Sequence, residues 1–321
     1  MSRSPLSRRQ FLSTLGLALA GVACTGTARP KRTSLPPAPG SLDALKRGAK
    51  GLSLAVSADR DNPLNPGKSH ITFALITTDG NVVTGGSPQL YAAQRGSDRA
   101  VGPFSSVWSP FTGYEQTGDH SPKSPVPGTY AADIDVPSAG TWTLLALIDN
   151  AGKKEAGQAV FVVTTSPIIA AVGSKAISVP TPVATTEAKL EEICTRTPPD
   201  HMHAISLDEA LKNGKPTVVS FATPLLCESM LCGPVVDEQI LVFEKYGPDR
   251  ANFIHVEEFL PGPSHSPGPA DLQHQSPGFK AWKFQSEPWV LVIDRHGIIR
   301  GRFGPGPATA PEIEAALQPV L

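Results

Sequence analysis

Short apolar segments separated by turn signals dominate residues 50–165, and this pattern most constrains how the chain can fold. No helical period joins the segments, and each has the length of a strand. The turns between them carry chain-reversing residues, as in Asn65-Pro66-Gly67 and Asp79-Gly80-Asn81. The segments are residues 52–56, 71–76, 89–93, 130–136, 142–148 and 159–163. The pattern predicts an all-β sandwich over residues 50–165. Residues 95–124 are predicted to be a long loop, either a surface loop held by its own aromatic residues or a binding loop.

Two of these segments form a candidate hairpin that resembles a known architecture. Residues 128–136 read GTYAADIDV, and residues 140–147 read GTWTLLAL. This pair resembles the closing hairpin of immunoglobulin-like modules in bacterial extracytoplasmic proteins. The resemblance implies an immunoglobulin-like sandwich and names no activity.

The N-terminal segment has the pattern of an export signal. Arg8 and Arg9 are followed by Gln10, Phe11 and Leu12, and an apolar stretch then runs to Ala23. That stretch is too short to span a bilayer. It resembles the twin-arginine signal, which implies export to the periplasm or the outer face of the cytoplasmic membrane. Residues 1–24 are therefore excluded from the predicted fold.

Cys24 stands where a lipoprotein carries its acylated cysteine, with the required small residue, Ala23, directly before it, although Gly21 departs from the leucine usual at its position. Two interpretations stay open: a lipid anchor on Cys24 that holds the protein at the membrane, or a cysteine left idle near the cleavage point. Residues 25–49 are rich in Pro, Lys, Arg and Ser and predict a flexible tether.

Charge and composition exclude several classes of protein. The chain has 28 basic and 29 acidic residues, and without Arg3, Arg8 and Arg9 the balance is 25 against 29. A mildly acidic chain lacks the basic surface that nucleic-acid binding requires. Recurrent apolar runs exclude a disordered chain, and 33 prolines with 29 glycines indicate loop-rich connections between folded parts.

A different pattern follows residue 195. Residues 166–194 predict a linker, after which strand-like and helix-like segments alternate over residues 195–321. Strands are predicted at residues 217–222, 252–257, 289–294 and 298–303. The order ends in a hairpin and a helix, which is the order of the thioredoxin fold.

Two separated motifs in this half resemble exported thioredoxin-like proteins. Cys227 and Cys232 follow the first strand, with Cys232-Gly233-Pro234 opening a helix, and Glu287-Pro288 precedes the third strand. The resemblance implies a thiol–disulfide oxidoreductase in which Cys227 attacks and Cys232 resolves the mixed disulfide. It also implies that a cis Pro288, with the backbone of Glu287, shapes a groove for protein thiols and disulfides of the cell envelope. No cofactor is required. The whole chain is thus predicted to be multidomain, an all-β immunoglobulin-like sandwich followed by an α/β thioredoxin-like domain.

The spacing of the two cysteines leaves several alternatives open. A helix N-terminus favours the thiolate, the nucleophile of disulfide exchange. On a regular helix, however, Cys227 and Cys232 would have Cα atoms roughly 8–9 Å apart, beyond disulfide reach, so a bridge needs irregular backbone. In an alternative alignment, Cys232-Gly233-Pro234-Val235 matches the family's Cys-Gly-Pro-Cys motif, with Val235 in place of the resolving cysteine. Cys232 would then be the nucleophile. The pair could also be a structural disulfide or two idle thiols.

Further residues indicate other functions. Cys194 is the odd cysteine once the signal is removed, either an alternative partner for the pair or a buried structural thiol. Cys227, Cys232 and His255 together offer the soft sulfur and imidazole ligands that copper prefers, which makes copper delivery an alternative function. A third alternative is a non-catalytic binding module.

Overall fold

The structure is a computed structural model that describes residues 40–113, 126–227, 229–259 and 275–321. Within these ranges seven strands form a closed barrel and four strands form a second sheet. The strands are β1 (Lys50–Val56), β2 (Gly67–Ile76), β3 (Gln89–Gln94), β4 (Val101–Pro110), β5 (Gly128–Val136), β6 (Gly140–Asn150), β7 (Lys153–Val163), β8 (Thr217–Phe221), β9 (Asn252–Val256), β10 (Trp289–Ile293) and β11 (Ile299–Phe303). The helices are α1 (Leu42–Lys46), α2 (Glu187–Ile193), α3 (Leu207–Ala210), α4 (Cys232–Arg250), α5 (Pro277–Trp282) and α6 (Ala310–Leu317), with a 3₁₀ turn at Gln318–Val320.

Strand β1 closes the barrel. It pairs antiparallel with β2 on one side and parallel with β7 on the other, so the order β1-β2-β5-β4-β3-β6-β7 has no free edge. Alternation along each strand fills the interior. In β5, Tyr130 and Ile134 are buried in the barrel core, while Asp133 and Asp135 face outward.

The prediction of an immunoglobulin-like sandwich with a loop over residues 95–124 was wrong in two respects. The strands of residues 50–163 form one closed sheet instead of two facing sheets, because β1 and β7 pair across the ends of the strand order. Residues 101–110, expected within a loop, form strand β4 between β3 and β5. The predicted tether also has packed residues, since Leu42 of α1 lies in a small apolar cluster with Tyr91 and Leu145.

The second sheet has the strand order β11-β10-β8-β9. Strands β8 and β9 are parallel, and β10 runs antiparallel to β8. All residues of β8, β9 and β10 are buried, which explains their continuous apolar character. One apolar cluster joins Val218 and Val290 to α4 and α6, and the other joins Phe221 and Leu291 to α5.

The prediction of a separate α/β thioredoxin-like domain was also wrong. Residues 36–321 form one compact unit, and the described residues show a small four-stranded sheet joined to the barrel, with no clear thioredoxin-like domain. Polar contacts join the two sheets' elements, because His70 of β2 contacts Glu312 of α6 at 2.8 Å. The amide of Gly113 likewise donates to Glu238 of α4 at 2.7 Å.

Residues 166–194, predicted as a linker, lie against the second sheet. Ile169 is buried in the apolar cluster that also holds Phe221 and Leu291. The amide of Gly173 donates to the Ile299 carbonyl at 2.8 Å, and the amide of Ile299 donates to Ser174 at 3.0 Å.

Candidate functional site

Cys227 and Cys232 form a disulfide at the start of helix α4. Their Cα atoms are 6.0 Å apart, a separation that a disulfide can span. The backbone between them is irregular, as the spacing required. Cys227 lies in the loop after β8, Met230 adopts a left-handed conformation with φ of 58°, and Cys232 is the first residue of α4.

The two sulfurs differ in their surroundings. Cys232 is fully buried, whereas Cys227 is partly exposed. The Cys232 amide donates to the Cys227 sulfur at 3.3 Å, and the Ser229 hydroxyl lies 3.2 Å from the same sulfur. A hydrogen bond from the first amide of a helix, together with the helix dipole, stabilises negative charge on Cys227 when the bridge is open.

Glu287 and Pro288 lie beside this bridge. The peptide bond between them is cis, and Trp289, the first residue of β10, pairs with Phe221 at the end of β8. The two sulfurs and a carboxylate oxygen of Glu287 all lie within 4.8 Å of one another. The structure thus brings together the predicted cysteines and the predicted Glu287-Pro288 segment.

The Glu287 carboxyl is held in an acidic, desolvated environment. Burial raises its pKa well above the usual value, the nearby charges of Glu258 and Glu257 raise it further, and a hydrogen bond with Thr223 only partly opposes this shift. Its Oε2 atom is buried without a hydrogen-bond partner among the described residues. These surroundings favour the protonated carboxyl next to the disulfide.

Three residues of this environment were missed by sequence reasoning: Thr223, Glu257 and Glu258. The Thr223 hydroxyl accepts the Glu258 amide at 2.8 Å, and burial raises the pKa of Glu258. Glu257 is buried, which raises its pKa to about 7. The sequence did contain a signal for the two glutamates: they directly follow the apolar run of strand β9, and acidic residues are rare in a buried core unless they have a role there.

His255 belongs to a different cluster. Its Nδ1 lies 2.7 Å from Asp200 Oδ2, and its Nε2 lies 2.9 Å from the Ala222 carbonyl oxygen. Burial opposes both charges, but the ion pair lowers the pKa of Asp200 well below its usual value and raises that of His255 well above it. Among the described residues, His255 does not join the group formed by Cys227, Cys232 and Glu287. The predicted copper ligands are therefore not brought together.

Cys194 is a free, buried thiol in the cluster of His255. Burial and the charge of Asp200 raise its pKa to about 11, which suppresses the thiolate. Cys24 and the twin-arginine segment lie outside the described residues. Within the part of the chain that is described, no helix has both the length and the apolar character needed to cross a membrane.

Comparison with known proteins gave no family. No protein-family model and no curated protein matches this sequence. Among solved structures, the Lin-41 filamin domain is 13% identical, covers 35% of this chain and 93% of its own, and has a TM-score of 0.22. A lipoprotein candidate from Bacillus anthracis is 17% identical and covers 41% of this chain and all of its own, with a TM-score of 0.24. The ZirS C-terminal domain is 15% identical, with 47% and 95% coverage and a TM-score of 0.19.

Proposed function

We propose that this chain is an exported thiol–disulfide oxidoreductase that acts through Cys227 and Cys232. The observation that carries the proposal is the asymmetry of the bridge. One sulfur is partly exposed and accepts a hydrogen bond from the first amide of α4, while the other is fully buried. An exchange centre needs one accessible sulfur that leaves readily as a thiolate and a protected sulfur that resolves the mixed disulfide.

The exchange starts at Cys227. A thiolate of a partner protein attacks the Cys227 sulfur, a bond forms between those two sulfurs, and the bond from Cys227 to Cys232 breaks. Cys232 leaves as a thiolate and takes up a proton. A second partner thiolate then attacks the partner's own sulfur in the mixed disulfide and releases Cys227. Two partner thiols become a disulfide, and this chain gains two electrons and two protons; the reverse reaction follows the same path.

Glu287 supplies and receives the proton of the buried sulfur. A carboxylate oxygen of Glu287 lies within 4.8 Å of both sulfurs, close enough for transfer through one water molecule. The desolvated carboxyl holds its proton until the Cys232 thiolate forms beside it. Without such a donor, a thiolate would be left in an apolar environment, which is costly.

The partner is a polypeptide of the cell envelope. The segment around the cis Pro288 lies beside the bridge, and Leu225, two residues before Cys227, exposes 40% of its surface. Exposed apolar surface next to a reactive sulfur supports contact with a protein chain. Export by the twin-arginine route places this site in an oxidising compartment, where disulfides persist, and acylation of Cys24 would hold it at the membrane.

The test is the redox titration of each cysteine. The exported chain is equilibrated in a series of glutathione buffers, its thiols are alkylated, and the modified cysteines are identified by mass spectrometry. We expect the Cys227–Cys232 bridge to open at a potential above about −300 mV, since structural disulfides resist reduction to lower values. A bridge that stays closed throughout the series would refute the oxidoreductase proposal and leave a binding protein.

Single variants assign the roles of the two sulfurs. Cys232→Ser should accumulate a mixed disulfide between Cys227 and a partner thiol, because the resolving sulfur is missing. Cys227→Ser should form none, since Cys232 is buried. The unmodified chain is the control and should accumulate no mixed disulfide, because Cys232 resolves it. Trapping on Cys232 in place of Cys227 would reverse the assignment.

A further inference from the structure

A second group of potential ligands lies away from the disulfide. It consists of Cys194 at the end of α2, Asp200 and His203 in the segment that follows, and His255 on β9. All four residues are buried, with 1–3% of their surface exposed. One ligand atom from each residue lies within 4.8 Å of the corresponding atoms of the other three. Neither the exchange reaction nor the barrel core uses these residues.

Hydrogen bonds around the group orient its ligand atoms inward. The Ala222 carbonyl can only accept, so the His255 Nε2 at 2.9 Å carries a proton and donates to it. This leaves His255 Nδ1 facing Asp200 Oδ2 at 2.7 Å and the Cys194 sulfur at 3.9 Å. A histidine that donates its outer ring nitrogen to a carbonyl is the usual arrangement around a bound metal.

His203 provides an independent observation. Its Nε2 atom is buried, lies 3.6 Å from Asp200 Oδ1, and has no hydrogen-bond partner among the described residues. A buried polar atom without a partner costs free energy. A metal ion between His203, Asp200 and Cys194 would satisfy this nitrogen.

The separations fit a tetrahedral ion. Ligand bonds of about 2.0–2.3 Å to zinc place neighbouring ligand atoms roughly 3.3–3.8 Å apart. The Cys194 sulfur lies 3.3 Å from Asp200 Oδ2, and the His203 and His255 contacts with Asp200 and Cys194 measure 3.6 and 3.9 Å. The hydrogen bond from His255 to Asp200, at 2.7 Å, has to lengthen, and the remaining separations, all within 4.8 Å, adjust as the ligand atoms close around the ion.

We propose that Cys194, Asp200, His203 and His255 bind one zinc ion in a closed, structural site. One thiolate, one carboxylate and two neutral imidazoles balance the charge of Zn²⁺, so the buried group stays neutral. Binding displaces two protons, the thiol proton of Cys194 and the proton shared by His255 and Asp200, and therefore leaves the net charge unchanged. The ion joins α2, the segment after it and β9.

Cobalt(II) is the probe, because it occupies tetrahedral zinc sites and a thiolate ligand gives it a charge-transfer band in the near ultraviolet. The full chain is refolded with Co²⁺, since the ligands are buried, and then competed with Zn²⁺. We expect one Co²⁺ per chain, a thiolate band, and displacement by Zn²⁺. Cys194→Ser should lose the band. The Cys227→Ser/Cys232→Ser double variant, the matched control, should keep it.

A second variant distinguishes the loss of a metal ligand from a failure to fold. His203→Gln removes a ring nitrogen that has no hydrogen bond in the described structure, so the chain should still fold. Its zinc affinity should fall at least about 100-fold in chelator competition, and zinc should no longer raise its melting temperature. The proposal is overturned if the full chain binds no Co²⁺, if Cys194→Ser keeps the band, or if His203→Gln binds zinc as tightly as the unmodified chain.

Discussion

Glu287 is one residue in which function and stability oppose each other. Burial and the charge of Glu258 raise the pKa of this carboxyl well above its unfolded value of 4.5. The folded state then binds more protons than the unfolded state, so the free energy of unfolding decreases as pH rises above about 4.5. The same desolvation keeps a proton available beside the disulfide.

Glu287→Gln should therefore slow exchange and stabilise the fold. We expect an exchange rate about 100-fold lower, since a positioned proton donor contributes at least that much. The neutral amide cannot ionise, so the variant should gain stability relative to the unmodified chain at pH 8 and less at pH 5. Stopped-flow exchange and denaturant unfolding at both pH values measure the two effects. Glu209→Gln, at an exposed glutamate, is the control, and an unchanged exchange rate in Glu287→Gln would contradict the proton-donor role.

Position 113, a glycine, has no room for a side chain. A Cβ atom there would lie 2.5 Å from the backbone carbonyl of Asp237, and backbone cannot move aside cheaply. Gly113→Ala should lower the free energy of unfolding by about 1–3 kcal/mol, the usual cost of overpacking. Gly51→Ala, where a Cβ meets nothing within 4 Å, should change it by less than about 1 kcal/mol. Urea unfolding of both variants checks this, and equal stability of the two would refute the close-contact argument.

At the level of elements, His70 links strands β2 and β5 to helix α6. On β2, its Nδ1 contacts Asp133 of β5 at 2.9 Å and its Nε2 contacts Glu312 of α6 at 2.8 Å. Burial alone would lower the pKa of His70, but these two carboxylates raise it to about 9. Because the folded pKa exceeds the unfolded value of 6.5, the stabilisation is complete below pH 6.5 and is lost as pH rises through about 9.

His70→Gln should remove this pH dependence. The difference in unfolding free energy between the unmodified chain and the variant should be largest near pH 6, at most about 3 kcal/mol, and should vanish above about pH 9.5. Urea unfolding of both proteins across that range measures it, with His296→Gln, at an exposed histidine, as control. A difference that stays constant from pH 6 to 9.5 would show that His70 is not charged in the fold.

The sequence predicted individual elements better than their assembly. The strands expected at residues 217–222 and 252–257 correspond to β8 and β9, because a continuous apolar run is a local signal. Strand β4 was missed because Gly102, Pro103 and Pro110 interrupt its pattern, although it pairs along much of its length with β5.

At the level of the whole molecule, long-range pairing was beyond local patterns. Closure of the barrel depends on Lys50–Ser53 of β1 meeting Glu155–Gln158 of β7, about a hundred residues later, and no local signal marks that contact. The disulfide site was located from its cysteines and the Glu287-Pro288 motif. The cluster of Cys194, Asp200, His203 and His255 was not, since its members come from separate segments without metal-site spacing.

We expect the barrel and the second sheet to unfold together in a single cooperative transition. Residues 36–321 form such a unit, so damage to the barrel should loosen the second sheet as well. Leu144→Ala in the barrel core should lower the free energy of unfolding by about 2–5 kcal/mol. The buried Cys194 should then be alkylated faster, by the factor by which this loss of stability raises the unfolded population. Val107→Ala, at a position 65% exposed, is the control and should leave Cys194 protected. Calorimetry of the unmodified chain should show a single transition. Two transitions, or unchanged alkylation of Cys194 in Leu144→Ala, would mean that barrel and second sheet fold independently, because only uncoupled units can lose stability separately.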